Sequence, residues 1–386
     1  MYRIQTLNEI SGVINQVFNA DYEIAKDVAQ PDAIIVRSAK MHDMELPASL
    51  AAIARAGAGY NNIPVDKCSQ QGIVVFNTPG ANANAVKELV VAGMLLAGRD
   101  ILGGAEWART LKGQGDKVTA LVEKGKGQFV GPELKGKTLA VIGLGAIGTM
   151  VANTGRALEM DVYGHDPFLS VEHALQLSRS VHVANLDQLL ASADVVSLHV
   201  PLMDATRGMV NAEYIARMKD GAVLLNFSRG ELVDSDAVLA ALKSGKLRRY
   251  VTDFPTDDML CTEGVIALPH LGASTPESED NCAEMAARQV VDYLTRGAIV
   301  NSVNYPACDP GLANGPRLCV LHANVPNMVG AVTGLLAGKG INISNMVNKS
   351  RGNVAYTVID ADTAIDADTV AAIAAVDNVY KVRLIG

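Results

Sequence analysis

The chain has 386 residues, of which 49% are hydrophobic and 19% charged, which predicts two or three folded domains and excludes a disordered protein. Its 33 Lys and Arg against 41 Asp and Glu give a formal charge of −8, which excludes the broad basic surface typical of nucleic-acid-binding proteins. No apolar run reaches the roughly 18 residues of a membrane span, and the first residues contain no signal-peptide hydrophobic block, so we expect no membrane partner.

Short apolar runs of strand length alternate with helical stretches over the first three quarters of the chain. This alternation predicts parallel sheets with helices on both faces, an α/β fold. The number of strands predicts two doubly wound domains, one formed by residues 1–92 with 277–304 and the other by residues 93–276. The clearest strands are predicted at 33–36, 74–76, 138–142, 161–164, 195–198, 223–226 and 265–267, and the clearest helices at 85–99, 149–158 and 276–296.

The composition changes after the last of these helices. Several Pro and Gly residues predict a linker at 305–316. The remaining residues, 317–386, are predicted to follow the order β-α-β-β-α-β, which is typical of a ferredoxin-like module. The strands are predicted at 317–323, 342–346, 354–359 and 379–384, and the helices at 328–339 and 367–375.

The strongest single motif is a glycine-rich loop between a strand and a helix. It reads Gly-Leu-Gly-Ala-Ile-Gly from Gly143 and directly follows a predicted strand. Gly143 permits a tight turn, Gly145 lets the backbone approach a pyrophosphate, and Gly148 allows close packing of the helix on the strand. Ala146 and Ile147 open the helix, whose free N–H groups attract phosphate. The motif therefore predicts a dinucleotide site.

An acidic residue supports this prediction. Asp166 ends the next predicted strand, 18 residues after Gly148, close to the roughly 20 expected for a carboxylate that binds the ribose. No Arg follows in the next four residues. Because a carboxylate here repels a 2′-phosphate, we predict NAD rather than NADP as the cofactor.

Polar residues also follow the later strands of this domain. The carboxyl ends of parallel strands form the ligand crevice of a doubly wound sheet. We therefore expect further cofactor contacts from the residues at these strand ends, namely His199, Val200, Pro201, Thr206, Asn226, Ser228, Asp253 and Gly272.

Three motifs together resemble one enzyme family, the D-isomer-specific 2-hydroxyacid dehydrogenases. They are the loop from Gly143, Ser-Arg-Gly-Glu-Leu-Val-Asp from Ser228, and Pro-His-Leu-Gly-Ala-Ser-Thr from Pro269. The resemblance covers essentially the whole chain. It is strongest to the members that oxidise 3-phospho-D-glycerate to 3-phosphohydroxypyruvate, the first step of L-serine biosynthesis. It implies a flavodoxin-like substrate domain, a Rossmann NAD domain, a C-terminal ACT domain and a homodimer or homotetramer.

The resemblance also implies a catalytic Arg, carboxylate and His, which fall on Arg229, on Asp257 or Asp258, and on His270. Histidine can take the hydroxyl proton of a 2-hydroxy acid, since its ordinary pKa lies near the operating pH. Arginine can clamp the substrate carboxylate with two hydrogen bonds. The family usually has Glu as the acid. The usual spacing from the Arg selects Asp258, which we favour, whereas alignment through Pro255 selects Asp257.

The substrate side is predicted in the first domain. Arg37, Ser38 and Lys40 follow a predicted strand, and two cations at one strand end suit a phosphorylated substrate. In the family a glycine loop presents N–H groups to the substrate carboxylate, and Ala58 and Gly59 take that place here. Asn82, on the turn that leads into a helix, is a further candidate.

The C-terminal module resembles an ACT domain, a small-molecule regulatory module. In relatives regulated by L-serine, a His and two Asn residues bind the effector between paired modules. These roles would fall on His322, Asn324 and Asn342. A module that serves only in dimerisation is the alternative.

Two other functions remain open at this point. One is a glyoxylate, hydroxypyruvate or other D-2-hydroxyacid reductase, which would not need the cations at Arg37 and Lys40. The other is a non-catalytic NAD(H)-sensing protein that resembles a corepressor. Five cysteines without a C-x-x-C pair predict reduced thiols in the cytoplasm and no metal site.

Overall fold

The computed structural model describes all 386 residues, and they form two compact units. Unit 1 contains Met1–Asn82 and Pro276–Gly386, and unit 2 contains Ala83–Thr275. None of the helices is long and apolar enough to cross a membrane.

Sixteen strands form three sheets. In chain order they are β1 (Tyr2–Leu7), β2 (Tyr22–Ala25), β3 (Ala33–Val36), β4 (Ala52–Arg55), β5 (Val74–Phe76), β6 (Thr138–Ile142), β7 (Asp161–His165), β8 (His182–Val183), β9 (Val195–Leu198), β10 (Ala222–Asn226), β11 (Leu247–Thr252), β12 (Val265–Ala267), β13 (Arg317–Ala323), β14 (Ile343–Arg351), β15 (Val354–Ala361) and β16 (Val379–Ile385).

Thirteen α-helices accompany them. They are α1 (Ile14–Val17), α2 (Val65–Gln70), α3 (Ala83–Gly98), α4 (Ile101–Thr110), α5 (Val118–Gly125), α6 (Ala146–Ala157), α7 (Val171–Gln176), α8 (Leu186–Ser192), α9 (Ala212–Arg217), α10 (Ser235–Ser244), α11 (Pro276–Arg296), α12 (Met328–Gly338) and α13 (Ala367–Ala374).

The first sheet of unit 1 is parallel throughout, with the order β2-β1-β3-β4-β5. This is the flavodoxin-like order of a doubly wound sheet. All four residues of β3 are buried, as expected for a continuous apolar run covered on both faces. The predicted flavodoxin-like fold is confirmed.

The sheet of unit 2 has the order β12-β11-β10-β9-β6-β7-β8, and every pair is parallel. Counted from β6, the order is that of a Rossmann sheet with a seventh strand added at one edge. The strand order reverses between β6 and β9, which is where such sheets bind ligands. The predicted Rossmann fold is confirmed.

The third sheet is antiparallel, with the order β14-β15-β13-β16. Together with α12 and α13 it forms the predicted ferredoxin-like module. All seven residues of β13 are buried. Leu318 and Val320 pack against the module's own helices, whereas Cys319 and Leu321 pack in the core cluster that contains Tyr293 of α11.

Two predicted boundaries differ from the structure. The predicted division at residues 92 and 93 falls inside α3, which lies entirely in unit 2, because an apolar helical pattern does not reveal which unit the helix packs against. The predicted linker is also more ordered than its composition indicates. Tyr305 and Cys308 are buried, and Ile299 pairs with Cys308 as an antiparallel bridge.

A buried ion pair fastens the module to the end of α11. The guanidinium of Arg317 contacts both carboxylate oxygens of Asp360, at 2.6 and 2.9 Å, and also donates to the carbonyl of Arg296 at 2.7 Å. Burial raises the pKa of Asp360, but hydrogen bonds from Arg317 and Asn345 outweigh it and hold the pKa below its usual value. The pair therefore stabilises the fold at neutral pH, and this stabilisation is lost as the pH falls.

Replacing Asp360 by Asn should lower the free energy of unfolding by about 3–5 kcal/mol, since it leaves the buried Arg317 without a carboxylate. Urea unfolding of the full chain, followed by circular dichroism, measures the change. The control is Glu123→Gln, which breaks the exposed pair with Lys126 and should cost less than about 1 kcal/mol. Equal costs for the two variants would contradict the role of the buried pair.

Candidate active site

The glycine-rich loop of unit 2 has the conformation that its sequence predicts. Gly143 has φ +91°, and its N–H donates to the carbonyl of His165 at 2.8 Å. A Cβ at Gly148 would lie 1.9 Å from the carbonyl oxygen of Gly143, so only glycine fits there. The loop therefore depends on close backbone approaches at its two ends.

The middle of the loop is open. A Cβ at Gly145 would meet nothing within 4 Å. Gly145 is also the N-cap of α6 and has no side chain to cap it, so the first N–H groups of the helix have no intrahelical partner. Open space in front of unpaired N–H groups at a helix N-terminus fits a pyrophosphate.

Asp166 lies beside this loop, as predicted. Its Oδ2 accepts the N–H of Leu144 at 2.9 Å, and its Oδ1 accepts the N–H of Phe168 at 2.8 Å. The carboxylate at the end of β7 is thus held next to the loop after β6. This arrangement fits the ribose-binding role that its spacing predicts.

His199, after β9, is packed against the same loop. A Cβ at Gly143 would lie 2.5 Å from the carbonyl oxygen of His199. The imidazole Nε2 contacts the hydroxyl of Ser197 at 2.8 Å, whereas the buried Nδ1 has no hydrogen-bond partner. Burial lowers the pKa of His199 to about 3, so the imidazole is neutral under working conditions.

Three of the other predicted cofactor residues are used inside the protein. Asn226 is fully buried and donates to the carbonyl of Arg229 at 2.8 Å. The hydroxyl of Ser228 donates to the carbonyl of Leu198 at 2.8 Å. The hydroxyl of Thr206 donates to the carbonyl of Pro201 at 2.7 Å. These side chains shape the loops after β9 and β10. Val200 is half-buried beside the loop of Pro201.

The Asp253 carboxylate holds the turn that carries His270. It is buried and accepts two backbone N–H groups, from Leu271 at 2.8 Å and from Gly272 at 2.7 Å. His270 itself has φ +55°, a conformation that costs free energy in a non-glycine residue. The hydrogen bonds from the next two residues, Leu271 and Gly272, to Asp253 stabilise this conformation.

The predicted catalytic groups lie at successive strand ends of unit 2. Arg229 follows β10 and is exposed, and Asp257 and Asp258 lie in an exposed 3-10 turn after β11. Neither carboxylate hydrogen-bonds to His270. The imidazole instead contacts the ring of Phe254, with centroids 4.7 Å apart.

The predicted substrate residues of unit 1 gather at the ends of β3 and β4. Arg37 follows β3 and forms an ion pair with Glu279 of α11, with an N–O distance of 2.6 Å. Ser38 and Lys40 are exposed on the same turn. Asn82, half-buried, is the last residue of the N-terminal segment of this unit.

The second glycine loop follows β4. Gly57 has φ +142°, and its N–H donates to the hydroxyl of Thr78 at 2.7 Å. The carbonyl of Ala58 accepts from the Asn77 amide at 2.7 Å. The N–H groups of Ala58 and Gly59 have no hydrogen-bond partner within the chain, which leaves them available to an anion.

Sequence reasoning missed three residues near these groups. Asn8 accepts the N–H groups of Ser38 and Ala39 at 3.0 and 2.7 Å and so fixes the turn. Arg55 lies over the second glycine loop, since a Cβ at Gly57 would be 1.8 Å from its guanidinium. Phe254 contacts His270 as described above. Of these three residues, only Arg55 could have been identified from the sequence, because it is a cation just before a glycine loop.

The predicted effector residues of the C-terminal module lie in different surroundings. His322 is buried, and its ring nitrogens contact the Ala323 carbonyl at 2.7 Å and the Thr357 hydroxyl at 2.8 Å. Asn324 is exposed and donates to the carbonyl of Gly352 at 3.0 Å. Asn342 is exposed and donates to the Asp362 carboxylate.

Comparison with known proteins identifies the family of unit 2. Residues 92–272 match the model of the D-isomer specific 2-hydroxyacid dehydrogenase family, NAD binding domain. The matched residues include the glycine-rich loop, Arg229 and His270.

Curated relatives cover more of the chain. A D-3-phosphoglycerate dehydrogenase of Escherichia coli is 34% identical over 349 residues, which are 87% of this chain and 82% of the relative. The enzyme of the same name from Haemophilus influenzae is 31% identical over 357 residues, 89% of this chain and 83% of the relative. A third, from Archaeoglobus fulgidus, is 36% identical over 298 residues. This chain spans about half of that protein, since the match covers 54% of it.

Solved structures agree with the fold. The NAD+-bound 3-phosphoglycerate dehydrogenase of Entamoeba histolytica has a TM-score of 0.60 and 26% identity, covering 78% of this chain and 98% of that one. A glyoxylate reductase from Paecilomyes thermophila has a TM-score of 0.63 at 24% identity, with 78% and 98% coverage, and shares the fold.

Two glycine variants separate cofactor contact from loop integrity. Gly145→Val fills open space, so the melting temperature should stay unchanged while the Kd for NADH rises at least about tenfold, because the side chain occupies the pyrophosphate position. Gly148→Ala should instead lower the melting temperature, because its Cβ collides with the Gly143 carbonyl. Fluorescence titration with NADH and thermal unfolding measure both. Wild-type NADH affinity in Gly145→Val would refute the assignment of the loop.

Proposed function

We propose that this chain, which belongs to the D-isomer specific 2-hydroxyacid dehydrogenase family, oxidises 3-phospho-D-glycerate to 3-phosphohydroxypyruvate with NAD as the hydride acceptor. The predicted NAD-binding domain is confirmed by the family match. Three relatives that carry the name D-3-phosphoglycerate dehydrogenase, from two bacteria and an archaeon, support the substrate.

One observation carries the proposal on the catalytic side. The sheet of unit 2 is fully parallel, and its strand ends carry the glycine-rich loop after β6, Asp166 after β7 and His199 after β9. Arg229 follows β10, and His270 follows β12. All of these groups therefore lie at the same edge of one sheet.

The residues at this edge suit the oxidation of a 2-hydroxy acid. His270 takes the hydroxyl proton as the general base. Arg229 holds the substrate carboxylate and polarises the bond at the reacting carbon. The glycine-rich loop and Asp166 would hold NAD, which when bound would supply the hydride acceptor. The open space at Gly145 fits that cofactor.

A carboxylate completes the catalytic set. Asp258 is our choice as the partner of the His270 imidazolium, with Asp257 as the alternative. Both belong to an exposed 3-10 turn, Asp257–Met259, and catalytic hydrogen bonds often tighten only when substrate binds. Asp253 is not a candidate for this partner, because both of its carboxylate oxygens accept backbone N–H groups from the turn that carries His270.

The groups on unit 1 suit the rest of the substrate. Arg37 and Lys40 are two cations on one turn and suit a phosphate, while the unpaired N–H groups of Ala58 and Gly59 suit a carboxylate. Asn82 is a further polar contact. Glyoxylate and hydroxypyruvate carry no phosphate, so a reductase acting on them would leave both cations without a role.

The remaining parts of the chain receive the following roles. Unit 2 is the NAD-binding domain, and unit 1 joins the substrate-binding domain to the C-terminal module. The module is proposed to be an ACT domain with His322, Asn324 and Asn342 as its candidate L-serine residues, and a module that serves only in dimerisation is the alternative. Of these, Asn324 and Asn342 are exposed, whereas the His322 ring is buried and contacts the Ala323 carbonyl and the Thr357 hydroxyl.

The chain is proposed to work as a homodimer or homotetramer. An arm of unit 2, residues 101–130, contains no buried residue. The rings of Trp107 and Phe129 contact each other in a tilted arrangement with centroids 5.4 Å apart, and Ile101, Leu102 and Val130 are exposed. An apolar segment without a core of its own favours burial against a second copy.

The state of the cysteines is consistent with a reducing compartment, and we propose the cytoplasm. All five are free thiols, and four of them are buried. Burial raises the pKa of the Cys68 thiol to about 12, which keeps it protonated and unreactive.

Replacing His270 by Ala should lower kcat for 3-phosphoglycerate by at least about a hundredfold, because the general base is lost. The Kd for NADH should change less than about twofold. Stopped-flow turnover and fluorescence titration of the same preparation measure both. Turnover near the wild-type rate would remove His270 from the mechanism.

Replacing Arg37 by Ala should raise the KM for 3-phosphoglycerate by about tenfold or more, since a charge-assisted contact to phosphate is lost. The KM for D-glycerate, which has no phosphate, should stay within about twofold. Steady-state kinetics with both substrates measure the difference. Equal increases for the two substrates would argue against a phosphate role.

A further inference from the structure

Arg37, which the proposed function assigns to the substrate phosphate, already forms an ion pair with Glu279. Its N–O distance is 2.6 Å, and the two side chains are 41% and 42% exposed. Arg37 follows β3, and Glu279 lies in the first turn of α11. A carboxylate of the protein therefore contacts the cation that a phosphate would need.

A second arginine lies beside this ion pair. Arg55 donates through Nε to the carbonyl of Arg37 at 3.1 Å, so the two arginines are adjacent. Burial raises the pKa of the Cys282 thiol, one turn along α11 from Glu279, and the positive charges of Arg55 and Arg37 partly oppose this rise. Glu279 thus contacts one of two adjacent arginines at the end of the sheet.

The first turn of α11 favours any anion near it. The N-terminus of a helix carries a partial positive charge, and α11 begins with Glu277 and Glu279. Glu279 is held there by Arg37 and by the helix. A substrate phosphate at Arg37 would approach the same charges and would also be repelled by the Glu279 carboxylate.

We propose that Glu279 is a built-in counter-ion of Arg37, which the phosphate of the substrate must displace, and that it thereby sets the affinity for phosphorylated substrates. This inference rests on the proposed function, because Arg37 is assigned there to phosphate. Because Glu279 competes with the phosphate for Arg37, it helps to determine the specificity for phosphorylated over unphosphorylated substrates.

The strength of the pair suits such an exchange. Half-exposed ion pairs of this kind are weak, so a ligand can break this one. A phosphate monoester carries nearly two negative charges near pH 7 and three acceptor oxygens, so it outcompetes a single carboxylate. A neutral hydroxymethyl end, as in D-glycerate, gains nothing from Arg37 and leaves the pair in place.

The consequence is that Glu279 weakens phosphate binding without touching the reacting atoms. Such a contact changes substrate and product affinity alike and leaves the chemical step unaltered. Removing its charge should therefore lower KM for the phosphorylated substrate and leave kcat in place. The effect is confined to ligands that carry a phosphate.

The test compares the full-length wild type with Glu279→Gln. The variant should lower the KM for 3-phosphoglycerate about two- to fivefold, the range expected when a half-exposed ion pair stops competing. The KM for D-glycerate should stay unchanged. Isothermal titration calorimetry with inorganic phosphate at low, fixed ionic strength should show the same two- to fivefold gain in affinity.

The matched control is Glu277→Gln, which removes the same charge from the same turn of α11 without breaking the Arg37 pair. It should change the phosphate affinity by less than half as much. A higher KM in Glu279→Gln would show that Glu279 positions Arg37 instead of competing for it and would overturn the proposal. So would equal phosphate affinity in the two proteins, or no measurable binding to either.

The two measurements separate this inference from the proposed function. If the wild type does not oxidise 3-phosphoglycerate, the proposed function fails, whereas phosphate calorimetry still reports whether Glu279 competes for Arg37. If turnover is found and the phosphate affinity is the same in both proteins, only the role of Glu279 fails.

Discussion

A fully parallel sheet is the constraint on which the account of this molecule depends. Because all seven strands of unit 2 run in the same direction, every residue that follows a strand lies at the same edge. The glycine-rich loop, Asp166, Arg229 and His270 come from distant parts of the chain and lie along one edge of the sheet for this reason. The buried carboxylate of Asp253 then fixes the turn of His270 through two backbone hydrogen bonds.

Helix α11 has a comparable place in unit 1. Its first turn contacts Arg37 through Glu279. Near its other end, Arg317 donates to the carbonyl of Arg296, and Arg383 of β16 donates to the carbonyls of Tyr293 and Leu294 at 3.2 and 3.0 Å. The last carbonyls of a helix need such donors. The C-terminal module therefore completes α11 and shares a hydrophobic core with the first sheet.

The fold was largely predictable, since buried strands such as Ala33–Val36 are continuous apolar runs, and Thr138–Ile142 becomes one after its first residue. Other strands escaped prediction because their residues are explained only by distant contacts. Leu247–Thr252 contains two arginines, and Arg248 donates to the carbonyl of Ala97 at 2.9 Å, at the end of α3. In the site, the glycine loop was visible in the sequence, whereas the contacts of Asn8, Phe254 and Glu279 join residues far apart in the chain. The burial of His322 was not predicted from the sequence; it follows from the alternation of β13, which places His322 on the same face as Leu318 and Val320.

Initial rates of the wild type at saturating NAD(H) test the central claim most directly. The panel compares 3-phosphoglycerate and 3-phosphohydroxypyruvate with glyoxylate, hydroxypyruvate and 2-oxoglutarate. The roles proposed for Arg37 in binding phosphate and for His270 in taking the hydroxyl proton predict a kcat/KM at least about tenfold higher for the phosphorylated pair, which corresponds to about 1.4 kcal/mol of transition-state stabilisation. An equal or higher value for glyoxylate or hydroxypyruvate would contradict the account and identify the chain as a reductase of unphosphorylated acids.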